Sequence, residues 1–229
     1  MRYKEIQYSA EQASVLEVLE MGRSVLKICV LEHRKIKDIY ELAKGAAIAG
    51  MRVFQARNEA KMQRFNPGAH PSEYWQIKFI EGEEPVGKRT DPLEFCGRGY
   101  RAEERRVQLF GYGSNYTSRY EEDEAAPKGL VSAMFNPPYG FRVPGLAADL
   151  PWTAENATAL AQAQTVFLHR FLAAFNIQLQ GTPRPSIYAW SDNWSNFFDA
   201  GKEWWGTYYW TLIHHEESRA TVIGASSTD

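Results

Sequence analysis

Four of the chain's seven tryptophans fall within residues 191–213, SDNWSNFFDAGKEWWGTYYWTLI, and no other stretch restricts the fold so strongly. From Glu203 onward it is rich in Trp, Tyr, Thr and Ile, which fit the pleated surface of a β-strand. Strand alternation puts Trp204, Gly206, Tyr208, Trp210 and Leu212 on one face, and Trp205, Thr207, Tyr209, Thr211 and Ile213 on the other. Both faces are bulky. Such a strand belongs inside a sheet covered on two sides, not at a half-solvated edge. Gly206 leaves a gap beside Trp204 and Tyr208 where a ring or another backbone can approach closely.

The residues after this stretch complete a hairpin. HHEES is followed by a second β-like run, Arg219–Ala225, with Val222 and Ile223 at its centre, so a five-residue connection is expected. The last strand then lies almost at the end of the chain and is pinned into the sheet.

Helices are expected nearer the start. Ser9 with Gln12 three residues on forms a capping-box pattern, with Val15, Leu16, Val18 and Leu19 as the buried side and Gly22 as the stop. Ile28, Leu31, Ile36, Ile39, Tyr40 and Ala43 recur at spacings near three and four, with His33, Arg34, Lys35 and Lys37 elsewhere on the wheel. The dense run over residues 25–31 fits a strand equally well, and periodicity does not choose. GAAIAG at residues 45–50 suits close packing or a break. A helix over residues 46–63 follows, ended by Asn66-Pro67-Gly68.

Residues 70–127 read as irregular, with strands at 75–80 (WQIKFI) and 106–110 separated by glycines and prolines. Residues 130–135 read as a strand running into a proline-stiffened turn. The clearest helix spans about residues 153–178, with Thr153 as N-cap and Leu160, Phe167, Leu168, Phe171, Leu172 and Phe175 as one apolar stripe. Gly181, Pro183 and Pro185 stop it, and residues 187–190 form a short strand. The expected architecture is α+β: N-terminal helices and this long amphipathic helix on a mostly antiparallel sheet. One domain is expected over residues 1–229, helical over about 9–65 and sheet-rich thereafter.

Charge narrows the function classes. The net charge of −2 lacks the basic footprint of a general nucleic-acid binder. The longest dense apolar run, 25–31, is too short to cross a bilayer, and the first residues lack an apolar signal core. Cys29 and Cys96 read as buried small hydrophobes, and a cytoplasmic setting is expected. Residues 1–66 carry a balance of +4 and residues 67–127 one of −4, which points to a basic helical face and a separate acidic region.

Motifs offer little chemistry. Asn136 to Tyr139 spell NPPY, which resembles the catalytic tetrapeptide of amino-group methyltransferases. That resemblance implies an amine held by the Asn side chain and a proline carbonyl. A cofactor loop should then lie well upstream, yet Phe110-Gly111-Tyr112-Gly113 is too near for the intervening βαβ units. A stiff turn is the better reading. Gly111 to Tyr116 lacks a third dinucleotide-loop glycine and precedes an acidic run. His214, His215, Glu216 and Glu217 have no metal-ligand spacing and read as solvated turn residues. Arg64 and His70 are spaced like a helical ribonuclease pair, but FNPGA between them breaks the helix that pair needs. No cofactor or metal is expected.

What remains is the aromatic stretch with its carboxylates. The first expectation is a non-enzymatic interaction protein that binds another protein through Asp192, Trp194, Asp199, Glu203 and Trp204, in the manner of a neutralising, immunity-type partner of a toxin enzyme. The alternative is a sugar- or nucleotide-binding protein or hydrolase. Asp199 and Glu203 would then be its acid and base, with Trp194 or Trp204 as stacking platform.

Overall fold

A computed structural model describes residues 3–34, 37–65, 76–97, 99–107, 129–135, 153–202 and 206–226. In chain order the first elements are β1 (Tyr3–Glu5), α1 (Ala10–Met21), β2 (Leu26–His33), α2 (Ile39–Phe65), β3 (Gly87–Thr90), α3 (Pro92–Cys96), β4 (Tyr100–Arg101) and β5 (Arg106–Val107). They are followed by α4 (Leu130–Phe135), α5 (Ala154–Ala174), β6 (Ser186–Trp190), a 3-10 turn at Asn196–Phe198, α6 (Asp199–Lys202), β7 (Tyr208–His214) and β8 (Arg219–Ala225). The fold is α+β with a mostly antiparallel sheet and a C-terminal hairpin. The chain forms two compact units, each interrupted in sequence. One comprises Met1–Gln7, Lys27–Arg89 and Pro185–Asp229; the other comprises Tyr8–Leu26 and Thr90–Arg184.

The first unit is built on a sheet of strand order β1-β2-β8-β7-β6-β3. β7 and β8 pair antiparallel from Tyr208↔Ala225 to His214↔Arg219, so the connection is His215 to Ser218, one residue shorter than expected. Ser218 turns the chain with φ +52. β7 starts at Tyr208, not at Glu203, and all seven of its residues are buried, as its two bulky faces require. β2 resolves the ambiguity at residues 25–31 in favour of a strand, so the N-terminal part is not continuously helical. Periodicity could not decide because a short apolar run buried on both faces looks alike in either state.

Helix α2 lies on this sheet and runs unbroken through GAAIAG for 27 residues. Ala43, Ala46, Ala47, Gly50, Met51 and Phe54 recur at three and four, and all are buried. Small residues let the helix sit close. A Cβ on Gly50 would stand 2.6 Å from Val222 Cγ1. Two sheet tyrosines reach the helix backbone: Tyr3 donates to the Leu42 carbonyl at 2.8 Å, and Tyr209 to the Ala47 carbonyl at 2.8 Å. Burial holds the Tyr209 hydroxyl well above its usual pKa, so it remains a donor. Asp38 closes the helix start, accepting from the backbone N–H of Tyr40 at 2.8 Å and of Glu41 at 3.2 Å.

The second unit is organised by α5. Thr153 caps it, accepting from Asn156 N–H at 3.2 Å, and the helix ends at Ala174, short of the expected residue 178. Phe167, Leu168, Phe171, Leu172 and Phe175 form its buried stripe. Ser9 and Gln12 make the reciprocal capping box of α1, at 3.2 and 3.1 Å. Arg170 on α5 donates to Ser14 on α1 at 2.7 Å.

Two strand expectations are overturned here and in the first unit. Residues 130–135 form a helix, every residue of which is buried. Full burial removes the amphipathic pattern that identifies a helix in sequence. Residues 76–80 form no strand, and their one β-contact is the bridge Phe79↔Ser195. Strand β3 and helix α3 arise instead from a stretch whose glycines and prolines read as loop. Asp91 caps α3, accepting from Leu93 N–H at 2.8 Å, and Pro92 occupies its first position. Cys29 and Cys96 are free and buried, and burial pushes the Cys96 thiol up to about 12.

The close seat of α2 yields a sharp expectation. Glycine to alanine in a helix interior ordinarily stabilises by about 1 kcal/mol. Gly50→Ala should instead destabilise, by about 1–3 kcal/mol, because its methyl overlaps Val222. The loss should shrink in a Val222→Ala background. Urea denaturation of the four proteins in this cycle measures both effects.

Candidate interaction surface

The segment carrying the expected site residues is laced to a loop more than a hundred residues earlier. Asn196 accepts from Lys78 N–H at 2.6 Å and donates from its side chain to the Gln76 carbonyl at 2.8 Å. Ser195 Oγ donates to the Lys78 carbonyl at 2.9 Å, and Ile80 N–H donates to the Trp194 carbonyl at 3.0 Å. Further along, Ser191 N–H donates to the Val86 carbonyl at 2.8 Å, while Ser191 Oγ accepts from Val86 N–H at 3.1 Å. Asn193 donates to Glu83 at 2.7 Å. Satisfied backbone groups on both loops leave little freedom to rearrange.

Trp194 is the pillar under this surface, and it does not belong to the surface itself. Its exposure is 0%, so it has no face to offer a partner or a sugar. Its indole N–H donates to the Ser191 carbonyl at 2.7 Å. Its ring meets Phe198 and Tyr209 at 5.4 Å and Phe79 at 5.8 Å. The bulk that suggested a hot spot in sequence is used in the core. Phe79, above it, remains 38% exposed, and Ile80 and Val86 are exposed at 38% and 66%.

The Arg52 guanidinium lies over the Phe79 ring, 5.9 Å from its centroid. Glu81, Glu83 and Glu84 are exposed on the loop between Ile80 and Val86. Glu84 holds Lys44 at 2.6 Å, and that hydrogen bond keeps its carboxyl below the usual carboxylate range. Asp192 is half-buried and accepts from Thr207 Oγ1 at 2.9 Å. Asp199 begins α6 with its side chain 63% exposed, and Lys202 Nζ lies 3.4 Å away. Gly201 in α6 accepts from Gly206 N–H at 2.7 Å; a Cβ on Gly201 would collide with the Gly206 carbonyl oxygen, so its lack of a side chain admits the second backbone, which Gly206 turns at φ +117.

Glu203 and Trp204 lie outside the described residues, as do Asn136 to Tyr139, Gly111 to Tyr116 and His70. Among the described residues no group of three or more His, Cys, Asp or Glu is placed to hold a metal ion. Among the described residues, too, no helix is long and apolar enough to cross a membrane. The contribution of Phe79, Ile80, Val86 and Glu81 to Glu84 was missed in sequence. Its one trace there is the acidic balance of residues 67–127.

His214 and His215, at the end of β7, have different surroundings. His215 is exposed, with Nε2 2.9 Å from Ser186 Oγ. His214 is not a solvated turn residue: it ends β7, is 7% exposed, and its Nε2 lies 3.0 Å from Thr221 Oγ1.

No family model, curated protein or solved structure matches this chain.

Burial lowers the His214 pKa to about 4; Glu217 opposes this, while Arg219, His215 and His33 add to it. An unfolded histidine titrates near 6.5, so between pH 6.5 and 4 the unfolded chain binds a proton that the folded one refuses. Stability is therefore full above pH 6.5 and lost as pH falls, by about 2 kcal/mol at pH 5. Thermal melts at pH 7.5 and 5.0 should show this drop, and His214→Gln should lose markedly less.

Proposed function

We propose that this chain is a protein-binding partner without catalytic chemistry of its own, acting through the surface formed by residues 79–86 and 191–199. The observation that carries this reading is that exposed Phe79, Ile80 and Val86 share one loop with exposed Glu81, Glu83 and Glu84, and that hydrogen bonds tie this loop to residues 191–196. Exposed apolar anchors with a charged rim are the usual composition of a binding hot spot. The acidic rim selects a basic protein surface and speeds encounter with it. An enzyme with a cationic substrate cleft presents such a surface, so a neutralising, immunity-type partner of a cytoplasmic toxin is the form this function takes.

The rim and the anchors have separable signatures. Products of the adjacent open reading frames are the candidates to test by co-expression and size-exclusion chromatography. The bound one should lose affinity at least tenfold with Val86→Asp. Glu81→Lys combined with Glu83→Lys should lower the association rate and flatten its salt dependence. Retention of full affinity by both variants, with their melting temperatures unchanged, would overturn the assignment of this surface.

A further inference from the structure

The second unit contains a cleft of about 480 Å³ that the interaction surface does not use. That volume falls in the range of small-molecule sites. Its walls come from α3, the β4–β5 hairpin, the end of α5 and the chain that follows it. Leu93, Leu172, Ile177 and Leu179 supply apolar surface, while Asn176, Gln178 and Gln180 supply amides.

Three side chains meet at one side of the cleft. Tyr100 places its hydroxyl 3.3 Å from His169 Nε2, with the two rings edge-to-face at 6.1 Å. Arg105 stands beside both, at the end of the turn between β4 and β5. It reaches that place through a left-handed backbone, φ +51, with its N–H on the Ala102 carbonyl at 3.3 Å. A non-glycine residue held there stores about 1 kcal/mol or more of strain, which surrounding structure must offset.

Charge decides what such a cleft accepts. Burial lowers the pKa of His169, and the nearby Arg105 cation lowers it further, so the imidazole is neutral at pH 7. Burial raises the Tyr100 hydroxyl, which stays protonated. Among the described lining residues Arg105 alone carries a formal charge, and no carboxylate lines the cleft to balance it. The carbonyls of Phe171, Leu172 and Ala173 at the end of α5 accept from the N–H groups of Phe175, Ile177 and Asn176, at 3.1, 2.7 and 3.0 Å.

We infer that this cleft binds a small organic carboxylate, with Arg105 pairing the carboxylate, Tyr100 or His169 donating a hydrogen bond, and the leucines and Ile177 covering an apolar body. One guanidinium matches one negative charge and grips a carboxylate with two parallel N–H groups. A phosphate dianion calls for more cations than the cleft has.

Backbone amide NMR of the full chain tests this with phenylacetate, hexanoate, phenylacetamide and inorganic phosphate as probes. Phenylacetate or hexanoate should produce saturable shifts centred on Tyr100, Arg105, His169 and Ile177. Phenylacetamide, of the same shape but uncharged, should bind at least tenfold more weakly to the unaltered protein. Arg105→Gln should remove that difference while resonances away from the cleft stay in place. The inference is overturned if no carboxylate gives a saturable shift, if the amide binds as well as the acid, or if phosphate binds more tightly than either acid. It rests on residues separate from the proposed interaction surface, so either can fail alone.

Discussion

The close approach of helix α2 to the central hairpin governs the aromatic unit. Ala43, Ala47 and Gly50 strip side-chain thickness from one line of the helix, so the bulk in the interface comes from the sheet. At this interface the Tyr209 hydroxyl lies within 2.8 Å of the Ala47 carbonyl on the helix. A carbonyl engaged in the helix ladder still has a second lone pair to give. The buried phenol is therefore satisfied, and a fully apolar neighbourhood can form around it without an orphaned donor.

Tyr209 also touches Phe54, Trp194, Phe197 and Phe198, so the seat of the helix fixes a cluster of rings. Their area is used to hold the unit together. What reaches solvent is the layer resting on them: Phe79 over Trp194, with the acidic loop that follows it. Rigid aromatic support under a small exposed patch limits the ordering entropy lost when a partner binds. This links the packing of the core to the function proposed for the surface.

The two candidate sites use electrostatics in opposite ways. The loop at residues 81–84 displays carboxylates in water, where their effect is long-range attraction weakened by salt. The cleft in the other unit keeps His169 and Tyr100 uncharged and, among its described lining residues, sets no carboxylate against Arg105, so its selectivity acts at contact distance. The first arrangement suits recognition of a macromolecule; the second suits a small ion with an apolar tail.

Local chemistry was readable from residues alone. The capping pair Ser9 and Gln12, the Thr153 cap, the stripe of α5 and the strand Arg219–Ala225 each depend on neighbours within a few positions, and each took the expected form. Short apolar runs were not readable. LVSAMF became a buried helix and WQIKFI contributes a single bridge, because neither carries a period long enough to distinguish the states. The site was legible in part: Asp192 and Asp199 were noticed, but the loop that Asn193 joins through Glu83 lies 110 positions earlier and shares no sequence pattern with it. Trp194 shows the limit most plainly, since an indole has the same letters inside a core as on a surface. The sequence by itself determined where α1, α5 and the last strand begin, through caps and alternation. Tertiary structure alone decided which rings are covered and which charges stand together, because burial and proximity depend on segments that meet only after folding.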